Sequence, residues 1–150
     1  MNKKTFKYII FASIIGILIG KYVFDQSKDE AKSVINDNNY VYLMQYGAFK
    51  DIENMNNGVS GLKNYIYVKE DDGYHVYVGI SKSEKIIDKV NDILGYNNIY
   101  NKKVNINNIE FLEVLDQYDT LIEQTDDNEV IINAQKQILS KYEELILQNE

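Results

Sequence analysis

The sequence contains no cysteine, proline or tryptophan, and none of its 16 basic residues is an arginine. Without cysteine there is no disulfide, no thiolate zinc set and no thiol nucleophile. A single histidine, His75, excludes any centre that needs two. No paired carboxylates, nucleophile–base set or metal cluster can be assembled on one site. Enzymatic activity is therefore not expected, and no cofactor or metal is called for. Asp71-Asp72-Gly73 and Asp126-Asp127-Asn128-Glu129 lack the spacing of a calcium loop and read as a turn and a helix cap. Asn, Ile, Lys and 13 tyrosines are abundant, as in an AT-rich coding sequence, so tyrosine number alone carries no functional weight.

Charge is unevenly spread. Residues 1–24 hold Lys3, Lys4, Lys7 and Lys21 and no acid, whereas residues 25–150 hold 12 lysines against 23 acids, a net −11. An acidic body without arginine excludes nucleic acid as a partner, since clustered basic residues supply most of that affinity. It also argues against docking of the body on an anionic membrane surface.

One long apolar run is present. Tyr8–Gly20 is 13 residues without a charge, and with Lys21 snorkelling outward the run extends to Phe24. Seventeen helical residues span roughly 25 Å, the short end of what a bilayer requires. Residues 1–24 are thus expected to form a cytoplasmic stub and a transmembrane anchor. The rival is a cleaved signal peptide, although no small-x-small site follows Gly20. The absence of cysteine excludes a lipoprotein anchor. Lysines before the run outnumber the one after it, which places the N-terminus in the cytoplasm and the acidic body outside a single-pass cell membrane protein. Residues 25–39 are polar and aperiodic and read as a tether with a reach of at most about 50 Å.

From Tyr40 the pattern turns to strand and ends at Gly47. Ile52, Met55, Val59 and Leu62 mark one face of a helix that Gly58 and Gly61 weaken. Tyr65–Lys69 and Tyr74–Ile80 are strands joined by a Glu70–Gly73 turn. Ser81 to Glu84 reads as a capping box opening a helix that Gly95 ends. Residues 98–106 form a fourth, edge strand. The expected fold is α+β: a βαββαβ, RNP-like split βαβ unit over residues 40–108, with a four-stranded antiparallel sheet and both helices on one face. By alternation Tyr74, Val76, Val78 and Ile80 lie under the helices. His75 and Tyr77 point to an open face, with Tyr65, Tyr67 and Lys69 beside them.

Two segments carry a resemblance. Gln45-Tyr46-Gly47-Ala48-Phe49 in the first strand and Tyr74-His75-Val76-Tyr77-Val78-Gly79 in the third, within this element order, resemble a SPOR (sporulation-related repeat) domain. The resemblance covers residues 40–108. It implies binding to peptidoglycan glycan strands stripped of peptide stems, through the open sheet face, at division or sporulation sites. Gln45 matches the family's first-strand glutamine, and His75 stands where an arginine is usual. The expected glycan-binding set is Gln45, Tyr65, Tyr67, His75 and Tyr77.

Residues 109–150 exceed what the resemblance explains. Phe111, Leu115, Tyr118 and Ile122, then Ile131, Ala134, Ile138, Tyr142 and Leu145, stripe two amphipathic helices joined by a short turn. This helical hairpin can dock on the domain, cover part of the sheet, self-associate or recruit a protein partner. Two functions follow. One is a membrane-anchored envelope module that binds glycan. The other is an interaction protein of SPOR-like fold that has lost glycan binding and recruits an envelope partner through these helices.

Overall fold

The structure is a computed structural model that describes residues 39–148. The expected anchor at residues 8–24 and nearly all of the tether lie outside the described residues. Among those described, no helix is long and apolar enough to cross a membrane.

The elements run β1 (Tyr40–Phe49), α1 (Ile52–Gly58), β2 (Ile66–Glu70), β3 (Gly73–Ser81), α2 (Glu84–Leu94), β4 (Tyr100–Asn105), α3 (Ile109–Glu123) and α4 (Asn128–Leu147). The strands form one antiparallel sheet ordered β2-β3-β1-β4. That is the expected split βαβ arrangement. Helix α1 is shorter than the Ile52–Leu62 spacing implies. Asp51 caps its start by accepting the Asn54 N–H at 2.8 Å, and the helix stops at Gly58. A Cβ at Gly58 would collide with the Phe49 ring, so glycine here trades helix length for packing. The expected capping box does not form. Ser83 is the N-cap of α2, while the Ser81 hydroxyl accepts the Ser83 N–H at 2.9 Å. Gly95 does end α2, in the left-handed region at φ 64°.

Directly paired residues of an antiparallel sheet share a face, so the register assigns every side chain. Tyr74, Val76 and Val78 lie under α1 and α2, packed with Met55, Val59, Ile86, Ile87 and Val90. Ile80 departs from that set. Val78 is an extra residue in β3 between the pairs Gln45↔Tyr77 and Met44↔Gly79, a β-bulge that turns Ile80 to the opposite face. A second shift makes Tyr46 the extra residue in β1, and register is restored at Gly47↔Val76.

The second face is covered over most of its area. Helices α3 and α4 lie on it, and Val41, Leu43, Ile66, Tyr77, Ile80 and Ile106 form a core with Phe111, Leu112, Leu115, Ile138 and Leu139. The hairpin thus docks on the domain through its apolar stripes. Its far end passes the edge of β3 and meets α2, where Ile122, Ile131 and Ala134 join Val78 and Ile87. Lys89 of α2 fastens the α3–α4 turn by donating to the carbonyls of Ile122 (3.2 Å) and Thr125 (2.6 Å) and to Asp126 (3.1 Å). The Ile122 carbonyl is one that a helix end leaves unsatisfied.

Tyr77, expected on an open face, is 1% exposed. Tyr77→Ala should therefore cost about 3–5 kcal/mol in urea unfolding, and Val76→Ala about 1–3 kcal/mol. Ending the chain at Asn108 should abolish cooperative unfolding, because Leu43, Tyr77 and Ile80 lose their cover. A truncated chain melting within a few degrees of the full one would show that the hairpin is not part of the fold.

Candidate functional site

The five residues expected to bind glycan separate. Gln45, His75 and Tyr77 share the hairpin-side face, since Gln45 pairs with Tyr77 and His75 with Ala48. Tyr67 pairs with Val76 and Lys69 with Tyr74, so both occupy the α1–α2 face; the Tyr67 and Tyr74 rings are 6.0 Å apart. Tyr65 precedes β2 and lines a depression of about 260 Å³ beside Lys136, Leu139 and Glu143 of α4. Tyr77 is covered, which leaves no ring face for a sugar.

The hairpin covers the sheet unevenly. Toward the C-terminal half of β1 the same face carries half-buried Gln45, exposed Ala48, and Tyr100, which pairs with Gln45 and is 65% exposed. Lys102, two residues along β4, shares that face. Its side chain crosses the sheet from one edge strand to the other. The ammonium donates to the Tyr77 hydroxyl at 3.2 Å and to both Glu70 oxygens at 2.8 and 3.2 Å. The Tyr77 hydroxyl in turn lies 3.3 Å from Glu70. Sequence reading missed Glu70, Tyr100 and Lys102. Alternation puts Tyr100 and Lys102 on one face of β4, but only the register with β1 puts that face with Gln45.

His75 is 7% exposed, and its Nε2 lies 2.8 Å from Asp72 Oδ1 and 3.9 Å from Glu70 Oε2. A carboxylate only accepts, so Nε2 carries the proton, while the buried Nδ1 has no partner. Gly73 holds this turn at φ 139°, where a Cβ would strike the Phe49 carbonyl. The ligand-capable atoms of Glu70, Asp72 and His75 lie within 4.8 Å of one another. A metal on Nε2 would move the proton to Nδ1, which has no acceptor, and would have to displace Lys102 from Glu70. The trio fits an ion-pair and hydrogen-bond network better than a metal centre.

Electrostatics follow from these contacts. The bond from Lys102 holds the Glu70 carboxyl below its ordinary value. Asp72 is lowered by its bond to His75. Burial raises the Tyr77 hydroxyl. For Lys102 burial pulls downward, but the bonds to Glu70 and Tyr77 outweigh it and the ammonium is held charged. Burial pushes the Tyr142 hydroxyl on α4 up to about 12. Tyr77 and Tyr142 therefore stay phenols, and Lys102 stays cationic.

Comparison with family models, curated proteins and solved structures finds no match to this chain.

The Glu70–Lys102 pair supplies a pH test. A depressed carboxyl contributes stability above its unfolded value that is lost as pH falls through its folded one. Glu70 is more than a third exposed, so screening limits the pair to about 0.5–1 kcal/mol. The stability gap between wild type and Lys102→Met should be of that size at pH 7 and should close below about pH 4. A gap independent of pH would assign the effect to lost aliphatic packing.

Proposed function

We propose that this chain is a membrane-anchored, non-catalytic cell-envelope protein. Its SPOR-like domain binds peptidoglycan glycan strands through the strip of sheet that its own hairpin leaves uncovered. One observation carries the reading. Gln45 and the exposed ring of Tyr100 lie side by side on one face, with Lys102 beside them. A flat ring with a polar tip suits a pyranose face, and an amide suits hydroxyl and acetamido groups. Glu70 already matches the charge of Lys102, so the strip engages the neutral hydroxyl and acetamido groups of a ligand and not its anionic ones. A glycan without peptide stems presents such neutral groups on every sugar, beside the one lactyl carboxylate that each disaccharide retains. The lysine-flanked apolar run at residues 8–24 supports an extracytoplasmic position for residues 25–150.

The buried Tyr77 favours a second reading, in which the hairpin has replaced the glycan and the fold serves protein contacts. In that case partners meet the outer helix faces, where Glu110, Glu113, Glu123, Lys136, Lys141 and Glu144 are exposed.

Purified cell-wall sacculi incubated with the detergent-solubilised full chain decide between them. Saturable binding is expected. Gln45→Ala and Tyr100→Ala should each weaken it by about 1–3 kcal/mol, the cost of an unmet hydrogen bond or a lost aromatic contact, with melting temperature unchanged. Lys103→Ala, on the opposite face, should bind like the parent. No retention of a folded chain would select the second reading. Protease added outside wall-stripped cells should remove the acidic body; protection of the C-terminus would overturn the proposed topology.

A further inference from the structure

The hairpin grips the end of β3 through two polar side chains of different character. Gln135 of α4 accepts the Ile80 N–H at 2.8 Å and donates to the Ile80 carbonyl at 3.1 Å. Asp119 of α3 accepts the Lys82 N–H through Oδ2 at 2.9 Å. The amide grip is indifferent to pH. The carboxyl grip is not.

Asp119 is only 8% exposed, and its Oδ1 is buried with no hydrogen-bond partner. The groups around it come from every neighbouring element. Asp116, one turn earlier on α3, pairs with Lys82 Nζ at 2.8 Å. The β3–α2 loop supplies the Ser81 hydroxyl and Lys82. Helix α2 brings Lys85, which reaches Glu123 at 3.5 Å a turn further along α3. Helix α4 brings the neutral Gln135. The ammonium of Lys82 is thus committed to Asp116, and an ionised Asp119 is left with one oxygen that no donor meets.

We propose that Asp119 is a pH-sensitive latch on the seam between the helical hairpin and the β3–α2 loop: protonation tightens the seam and ionisation loosens it. Burial raises the Asp119 carboxyl to about 6, the bonds from Lys82 and Ser81 only partly oppose this, and the charge of Asp116 adds to it. The unfolded value is about 3.9. A carboxyl raised on folding contributes stability that is complete below about pH 4 and lost as pH rises through about 6. Glu70 and Asp72, both lowered on folding, act with the opposite sign, so the latch is read locally and not from global stability.

Amide hydrogen exchange on the full chain, corrected for intrinsic rates, tests it at pH 5 and pH 8. Protection of α3 and α4 amides should fall by up to about 10-fold at the higher pH, because at pH 5 about one unit of the shift remains to be lost. Asp119→Asn should remove that dependence. Gln135→Ala should lower protection by the same factor at both pH values. In the wild type the carbon-13 titration of the Asp119 carboxyl should have its midpoint near 6, a result that stands even if Asp119→Asn does not fold. A midpoint at the ordinary aspartate value, or an equal loss of protection in Asp119→Asn, would overturn the latch.

Discussion

The architecture depends on a mismatch in strand length. Strand β3 has nine residues and its outer neighbour β2 has five. Past the Ile66↔Tyr77 pair the outer edge of β3 continues alone into a buried region. Buried backbone donors and acceptors must be paired, and here no strand is left to pair them. The Gln135 amide does so, with its oxygen and nitrogen in the places a neighbouring peptide would occupy. Gly79 makes the approach possible, since a Cβ there would press on Met44 and Gln135. Once Gln135 is fixed, the height and rotation of α4 are fixed. The seating of Ile138, Leu139 and Tyr142 over the sheet follows.

Much of this was legible in the sequence. Strand-forming runs between turn residues mark all four strands, apolar spacing and end signals mark the helices, and most residues of both amphipathic stripes are buried. What an amphipathic stripe does not say is against what it is buried, and so the covered face stayed open on paper. The bulge at Val78 was invisible for a related reason. Both faces of β3 are covered, so apolar residues stand on either side and alternation loses its power to report a slip. The face of Tyr67 is fixed by the hairpin turn. The turn pairs Glu70 with Gly73, and counting back from that pair sets Tyr67 opposite Val76.

The candidate strip is only partly written in the sequence. Gln45 came from a motif, whereas Tyr100 and Lys102 sit in a polar strand whose facing depends on its partner register. Lys102 also shows why residue type alone misleads at this site. Its charge is spent inside the molecule, tying the two outermost strands together across the face. The resulting surface is polar and nearly neutral although the body as a whole is strongly acidic. Local neutrality of this kind cannot be read from net charge.

The paired bulges bear on how this chain tolerates change in length. Val78 adds one residue to β3 and Tyr46 adds one to β1, and between Met44 and Gly47 the two insertions cancel. Each strand is therefore out of phase with its partner only across that short interval. Each extra residue sets two neighbours, Val78 and Gly79 or Tyr46 and Gly47, on one face, so losing either would restore simple alternation and keep Ile80 or Phe49 on its present layer. Losing both would leave the flanking pairs as they are. Over evolutionary time each position should therefore tolerate loss as a single-codon event of its own, independently of its counterpart more than 30 residues away.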